Sequence, residues 1–435
     1  MKLADKDGAV KEENTNKVES KIMENISEKV NIIEGGVTAA RGFEAAAAAA
    51  EIKYKGRTDM ALVYSQDPAV CAGTFTTNVV KAAPVLWDKE IVAKGNPVHA
   101  VVLNSGIANA CTGEEGKQQN VRMAEAVAEQ LQIGGEAVLT ASTGVIGMQL
   151  PTEPLERGAV LLREKLSDSR EAALEAARAI MTTDTVPKEA AASFEVDGVT
   201  VTVGGMSKGS GMIHPNMATM LSVTTTDAGI AREDLQELVS AAVADSFNMI
   251  SVDRDTSTND TYLVLANGQS GVTIQKGTEA YEKFREALVF VSTELAKQMA
   301  ADGEGATKLF EVQVVHCGSV EKAKKLSKSV ITSNLVKTAV YGSDANWGRI
   351  LCALGYAGVE FDPEVIDLTL KAAGETLILV QDGVAAGYSE EKATELLREK
   401  KVTVICDMKE GESSAAAWGC DLTYDYVKIN GDYRS

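Results

Sequence analysis

The chain has 435 residues, of which 45% are hydrophobic and 5% aromatic, and its formal net charge at pH 7 is −19. This length predicts two domains or one large layered domain, with a core built mainly from aliphatic side chains. An acidic chain without a basic block is a poor candidate for binding nucleic acid or an anionic membrane. No stretch approaches the ~18 continuous apolar residues of a membrane span, so we expect a cytoplasmic protein with neither kind of partner.

Charged residues dominate positions 1–30, which contain few large apolar side chains. This composition predicts a flexible extension and lacks the features of a signal or transit peptide. Further along, the six cysteines are scattered, which favours reduced, buried thiols. The three histidines, His99, His214 and His316, are not spaced as metal ligands. We therefore expect no metal site and no metal-dependent hydrolase.

Hydrophobic periodicity in the first part of the chain predicts strands at 61–64, 98–103 and 137–141, helices at 117–131 and 153–180 with a break at 167–169, and a loop at 104–116. The third strand runs into Ser142, Thr143 and Gly144. A glycine allows a backbone N–H to approach a substrate, and a neighbouring hydroxyl adds a second donor, as an oxyanion hole requires. The same residues also make ordinary turns, so the sequence leaves both interpretations open.

The strongest chemical signal lies at 204–226, GGMSKGSGMIHPNMATMLSVTTT. A glycine-rich loop meets a strand pattern at Thr219, directly after the small residue Ala218. Attack of the Thr219 hydroxyl on the Ala218 carbonyl would cut the chain through an ester. The freed amine of Thr219, with a reference pKa of about 7.7–8.0, would then be a general base beside the nucleophile. Residue types alone leave open an ordinary loop entering a strand, since threonine is common in strands.

The remaining pattern mixes hairpin signals with amphipathic helices, which indicates an α+β protein. Alternation at 193–203 around Asp197-Gly198 predicts a hairpin, and Asp344 is expected to cap the helix that follows SDANWGR. The C-terminal segment 415–435 alternates as a strand does. Periodicity also predicts helices at 233–247, 278–300, 319–333 and 389–399, and strands at 262–265, 310–315, 368–370, 376–380 and 402–406.

Two further polar positions are candidates for ligand binding. Thr182 lies in the polar loop 181–188, where capping of a helix end is an equally good explanation. Glu304 lies between Gly303 and Gly305, where its carboxylate can either meet a ligand ammonium or stay solvated. The sequence contains neither a phosphate-binding loop nor a G-x-G-x-x-G motif between a strand and a helix. This favours chemistry carried out by the chain's own groups, without a cofactor.

Three motifs together resemble one enzyme family. The string KGSGMIHPNMATML at 208–221, with STGVIG upstream and SDANWGR downstream, is similar to the ornithine acetyltransferases, also called arginine biosynthesis bifunctional glutamate N-acetyltransferases. The resemblance covers about 35–435. It implies an αββα sandwich of antiparallel sheets between helices at 31–310, of the N-terminal-threonine-nucleophile type, and a smaller α+β domain at 311–435.

The resemblance also implies a reaction and a set of site residues. The chain would cut itself between Ala218 and Thr219 into fragments 1–218 and 219–435. Thr219 would then carry an acetyl group from N-acetylornithine to glutamate in a ping-pong reaction of arginine biosynthesis. The implied partners of this chemistry are the oxyanion donors Thr143 and Gly144, Lys208 for the substrate carboxylate, Glu304 for the ornithine ammonium, and Thr182, Asn430 and Ser435 for positioning the remainder.

Several alternatives stay open at this point. Acetyl-CoA is a possible second acetyl donor, and the family suggests an assembly with two copies of each fragment. His214 is left out of the catalytic set because the freed amine already supplies a base. A self-processing aminopeptidase or amidase would send the acyl group to water instead of glutamate, and an uncut binding protein would do neither.

Overall fold

The computed structural model describes residues 29–214 and 220–432. The strands in these ranges are β1 (Asn31–Ile33), β2 (Phe43–Ala48), β3 (Met60–Phe75), β4 (Val98–Ile107), β5 (Val138–Val145), β6 (Lys188–Val196), β7 (Val199–Lys208), β8 (Leu221–Thr226), β9 (Gly229–Ile230), β10 (Ile250–Ser251), β11 (Thr261–Ala266), β12 (Thr273–Ile274), β13 (Leu309–Cys317), β14 (Asp367–Ala372), β15 (Glu375–Gln381), β16 (Val384–Ala385), β17 (Lys401–Asp407) and β18 (Ser413–Cys420). The helices are α1 (Ala83–Lys94), α2 (Gly113–Leu131), α3 (Thr152–Lys165), α4 (Arg170–Ala179), α5 (Arg232–Asp245), α6 (Glu279–Ala301), α7 (Val320–Ile331), α8 (Asn334–Gly342), α9 (Trp347–Gly355), α10 (Glu390–Leu397) and α11 (Tyr424–Gly431).

The long strand β3 belongs to both halves of the larger sheet, whose order is β1-β6-β7-β8-β11-β3-β4-β5, with β2 also paired to β3. Residues 60–64 of β3 pair with β2 and β4, and residues 70–75 pair with β11. The register of β3 against β4 shifts between Tyr64 and Ala69. The β4–β5 and β8–β11 pairs are parallel, so the expectation of antiparallel sheets is wrong at these two pairs. In each pair the connection between the two strands contains a helix, which brings the chain back to run in the same direction.

Alternate residues along the strands point into different hydrophobic clusters. In β11, Leu263 lies in the cluster between the two halves of the sheet, whereas Val264 lies in the cluster that includes the buried face of α6. In β4, Val101 belongs to the same inner cluster, and Val102 packs on the outer side with α2. The layers are therefore helix, sheet, sheet, helix, which confirms the predicted αββα layering.

A second sheet follows in the order β10-β18-β13-β17-β14-β15-β16. The predicted domain boundary near residue 310 falls at the start of β13. One hydrophobic cluster contains residues from both sides of this boundary, among them Val203, Phe310 and Val404. The division into two domains stays a prediction. Of the predicted flexible extension, 1–28 lie outside the described residues, and Val30 is buried in the core. Among the described residues, no helix combines the length and apolar character needed to cross a bilayer.

Several local predictions are confirmed and others are wrong. The hairpin turns at Asp197-Gly198, with φ of 50° and 79°, as a tight primed turn requires. The cap of α9 is Asn346, whose side chain accepts from Arg349 N, and not Asp344. The C-terminal segment was predicted to be a strand, but it consists of strand β18 followed by helix α11. The Thr423 side chain caps the first turn of this helix. All six cysteines are free, but Cys111 and Cys352 are exposed, contrary to expectation.

Candidate active site

A cavity of about 140 Å³ brings together the described residues for which the sequence predicted a role in binding or catalysis. They come from the ends of β5 and β7, from the segments after α4 and α6, and from α11. The predicted nucleophile Thr219, its neighbour Ala218 and the predicted substrate contact Ser435 lie outside the described residues. The predicted residues that line the cavity are Thr143, Gly144, Thr182, Lys208, Glu304 and Asn430.

Lys208 is the last residue of β7 and is only 5% exposed. Its Nζ lies 3.0 Å from the Thr182 hydroxyl and 3.4 Å from the Thr143 hydroxyl. Burial lowers the pKa of the Lys208 ammonium, while the carboxylate of Asp184, 3.8 Å away, acts in the opposite direction. The cavity therefore holds a fixed donor that touches both predicted hydroxyl groups and suits a substrate carboxylate.

Asp184 holds this corner of the cavity together, and sequence reasoning missed it. Its carboxylate accepts from Lys188 Nζ at 2.7 Å, from Gly209 N at 2.7 Å and from Thr182 N at 3.1 Å. Burial works against ionisation of Asp184, but the charges of Lys208 and Lys188 outweigh it and lower its pKa. An ionised carboxylate thus fixes the backbone on both sides of the cavity. The only sequence signal was an acid four residues before a lysine in an otherwise polar loop.

The backbone at Gly144 can be adopted only by glycine. Its φ is +134°, and a Cβ built there would lie 2.2 Å from the carbonyl carbon of Gly106. The two strands β4 and β5 meet at this point, where their register is irregular. The Asn259 amide donates to the carbonyls of Ser142 at 2.8 Å and Ala108 at 2.6 Å. Thr143 and Gly144 are thus held rigidly at the cavity wall, as preorganised donors must be.

The polar segment 251–261 forms one side of the cavity, although no specific role was predicted for it. Asp253 accepts from the backbone N–H groups of Met212 at 2.6 Å and Ile213 at 2.8 Å. Asp260 accepts from Met220 N at 2.8 Å. These two carboxylates hold the backbone shortly before and directly after residues 215–219. Members of this segment that line the cavity are Asp253, Asp255, Ser257, Thr258 and Asn259.

Glu304 also lines the cavity and is 7% exposed. The Asn430 side chain donates to Glu304 Oε2 at 2.7 Å. The backbone N–H of Glu304 donates to the Ser210 carbonyl at 2.9 Å. A Cβ at Gly211 would lie 2.3 Å from this carboxylate, so the glycine loop makes room for it. A buried carboxylate with space beside it is a suitable partner for a ligand ammonium.

His214 stands apart from these groups. Its Nδ1 lies 3.1 Å from the Ser251 hydroxyl, and burial, together with the charges of Lys328 and Arg254, lowers its pKa to about 4. The imidazole is therefore neutral near pH 7, and it is not among the residues that line the cavity. Within 29–214 and 220–432, no group of three or more metal-ligating side chains is arranged to hold a metal ion.

Comparison with known proteins places this chain in a family. The ArgJ family model matches residues 44–435. The chain is 52% identical over 406 residues to the arginine biosynthesis bifunctional protein ArgJ of Symbiobacterium thermophilum, with 93% of this chain and 99% of that protein covered.

The chain is also 46% identical over 417 residues to the glutamate N-acetyltransferase of Methanocaldococcus jannaschii, with 93% of this chain and 100% of that protein covered. Among solved structures, the ornithine acetyltransferase of Mycobacterium tuberculosis complexed with ornithine is 41% identical over 44% of this chain and 100% of that chain, with a TM-score of 0.40. The matches to the family model and to the full-length relatives confirm the resemblance that the motifs indicated, and the chain belongs to the ArgJ family.

Proposed function

We propose that this protein transfers the acetyl group of N-acetylornithine to glutamate through an acetyl ester on Thr219, after cutting itself between Ala218 and Thr219. The observation that carries the proposal is one cavity in which a buried cation, Lys208, and a buried carboxylate, Glu304, accompany Thr143 and Gly144. A substrate with a carboxylate and an ammonium needs both charges, and a developing oxyanion needs the donors.

Self-cleavage would create the nucleophile. The Thr219 Oγ attacks the Ala218 carbonyl carbon, the C–N bond breaks, and the threonine nitrogen takes up the proton. Water then hydrolyses the ester, which leaves a carboxylate on Ala218 and a free amine on Thr219. The carboxylates of Asp253 and Asp260 support this step because they fix the chain on both sides of the cut.

The first half of the transfer would release ornithine. The Thr219 Oγ attacks the acetyl carbonyl while the amine of the same residue accepts the hydroxyl proton. The oxyanion then accepts hydrogen bonds from the Gly144 N–H and the Thr143 hydroxyl, and the nearby ammonium of Lys208 adds a favourable charge. When the oxyanion collapses, the bond to the ornithine nitrogen breaks, and that nitrogen takes the proton from the threonine amine.

The second half would regenerate the enzyme. The unprotonated amine of glutamate attacks the ester carbonyl, and the bond to Thr219 Oγ breaks. The proton passes from the glutamate nitrogen to the threonine oxygen, giving N-acetylglutamate and a free hydroxyl. Acetyl-CoA as a second donor, an assembly of two copies of each fragment and a place in the cytoplasm belong to the proposal as predictions, to be measured by thiol release, native mass and cell fractionation.

Mass spectrometry of the purified protein tests the proposal. We expect two fragments, the second beginning Thr-Met-Leu-Ser, and an acetylated second fragment after N-acetylornithine is added alone. Thr219→Ala should remain uncut and inactive, and Thr219→Ser, which keeps a hydroxyl, should retain some cleavage. A single full-length chain in active material would contradict the proposal. Release of acetate at the same rate with and without glutamate would instead indicate an amidase.

A further inference from the structure

The proposed function poses a charge problem at the far end of the two substrates. Ornithine ends in an ammonium, which suits the carboxylate of Glu304, but glutamate ends in a carboxylate, which Glu304 repels. Like charges brought together in a partly desolvated site repel each other strongly. Glutamate therefore needs a cation elsewhere for its side-chain carboxylate, within reach of the same acetyl-Thr219.

A second cavity of about 220 Å³ lies against the first, and Gly144, Thr182 and Thr183 line both. Its other side carries Lys53, Tyr54 and Arg57, from the segment between β2 and β3. We call these three residues the basic arm. One carboxylate, that of Asp432, also lines this cavity, so two cations face one anion in a chain whose formal net charge is −19.

The basic arm lies one backbone layer away from the oxyanion donors. A Cβ built at Gly106 would lie 3.2 Å from Lys53 Cβ, and the backbone of Gly106 packs directly on Gly144. On the other side, Arg57 Nη2 donates to the carbonyl of Met181 at 2.6 Å, and Met181 directly precedes Thr182. The two cations therefore flank the wall shared by the two cavities.

The base of the basic arm is held in place by a buried acid. Asp59 accepts from the backbone N–H groups of Ala50 at 2.9 Å, Glu51 at 3.2 Å and Ile52 at 2.6 Å. Its own carbonyl accepts from Ser105 N at 2.9 Å, which ties the segment to β4. A cation on a fixed segment loses less conformational freedom when it binds a ligand than one on a mobile loop.

We propose that the basic arm binds the side-chain carboxylate of the acceptor glutamate, whereas the ornithine ammonium is bound at Glu304. Both α-carboxylates share Lys208, and the two side chains then extend into different cavities according to their charge. This proposal rests on the proposed function, since it assigns a subsite to the second substrate of that reaction. It adds a role for Lys53 and Arg57, which lie outside the machinery described so far.

The test uses Lys53→Gln, Arg57→Gln and the double variant of the full chain, with Lys55→Gln as the matched control. Lys55 is exposed on the same segment and does not line the cavity. Self-cleavage and formation of the acetylated fragment from N-acetylornithine should be unchanged in every variant. A charge-assisted hydrogen bond is worth roughly 1.5–3 kcal/mol, so the KM for glutamate should rise about tenfold or more in the double variant.

Substrate analogues separate a binding role from a structural one. Glutamine lacks the side-chain charge, so the preference for glutamate over glutamine should fall in the double variant. Arg57→Lys, which keeps a cation, should retain more of this preference than Arg57→Gln. Unchanged glutamate kinetics, or an equal rise in KM for N-acetylornithine, would overturn the proposal. A rise in KM for acetyl-CoA alone would also overturn the proposal, because it would indicate that the basic arm binds a phosphate group of acetyl-CoA. If the unaltered protein transfers nothing to glutamate, the proposed function and the subsite fail together.

Discussion

Asp260 accepts a hydrogen bond of 2.8 Å from the backbone N–H of Met220, the residue that directly follows the proposed nucleophile. The carbonyl of Met220 in turn accepts from Thr261 N at 2.9 Å. Two adjacent residues therefore bind both backbone groups of Met220, at the point where β8 and β11 begin to pair in parallel. Asp260 is 1% exposed, so this bond is shielded from competition by water.

We expect Asp260→Ala to slow self-cleavage and acetyl transfer, because Met220 then loses its fixed partner. The loss of a hydrogen bond to a charged acceptor corresponds to about tenfold or more in rate. Asp260→Asn keeps an oxygen acceptor and should be less impaired. Gel analysis of cleavage against time, together with acetyl-transfer assays on fully cut material, measures the two effects separately. Normal rates in a folded Asp260→Ala variant would show that Met220 is held adequately by Thr261.

The contact between Glu304 and Asn430 leads to a second prediction. Glu304→Gln keeps an oxygen that can accept from Asn430 Nδ2 but removes the charge that we assign to the ornithine ammonium. We expect the KM for N-acetylornithine to rise about tenfold, with self-cleavage unchanged. The control is Glu294→Gln, which neutralises a carboxylate of α6 outside the cavity lining. A KM for N-acetylornithine that stays the same would remove Glu304 from ornithine binding.

The outcome for particular residues shows what the sequence could reveal. The turn at Asp197-Gly198 follows from two residues whose conformational preferences are local, and it was predicted correctly. Asn259 bonds to carbonyls 117 and 151 positions earlier in the chain, so no local pattern indicates its role. Asp260 was missed for the same reason, since Met220 lies 40 positions earlier. Asp184 has near partners in sequence, but its bond to Gly209, 25 positions later, forms only in the folded protein.

The errors also have local physical causes. The segment 415–435 alternates as a strand does, but the Thr423 side chain accepts from Tyr426 N and caps a helix, so 424–431 form α11. The family resemblance implied roles for Thr143, Gly144, Lys208, Glu304 and Asn430, and the fold brings these residues into one cavity.

Asp184 makes a prediction about acid stability. Its pKa is lowered in the folded protein, so its contribution to stability is fully present above the unfolded value of about 3.9 and is lost as the pH falls toward the folded value. Asp184→Asn should reduce stability at pH 7 by about 3–5 kcal/mol, because Lys208 is left buried beside a neutral group, although Lys188 keeps the carboxylate of Asp302 at 2.7 Å. The variant should also show a flatter stability profile as the pH falls from about 4 toward the lowered pKa of Asp184, which is the range in which this carboxylate loses its contribution.

Urea unfolding at a series of pH values measures this difference. Glu237→Gln is the control, since Glu237 pairs with Lys276 where both side chains are more than half exposed, at 57% and 54%. Exposed pairs contribute roughly 0–1 kcal/mol, so this control should unfold nearly as the unaltered protein does. Equal losses in the two variants would mean that the Asp184 network contributes no more than a surface pair.

Gly144→Ala tests the wall between the two cavities. A methyl group there would lie 2.2 Å from the carbonyl carbon of Gly106, and the φ of +134° is unfavourable for alanine. We expect a loss of stability of more than about 2 kcal/mol and a larger loss of acetyl transfer, because relief of the clash must move a predicted oxyanion donor. Gly134→Ala is the control, since a Cβ there meets nothing within 4 Å. Thermal unfolding and kcat are measured together, and a stable, fully active Gly144→Ala variant would exclude this backbone from oxyanion binding.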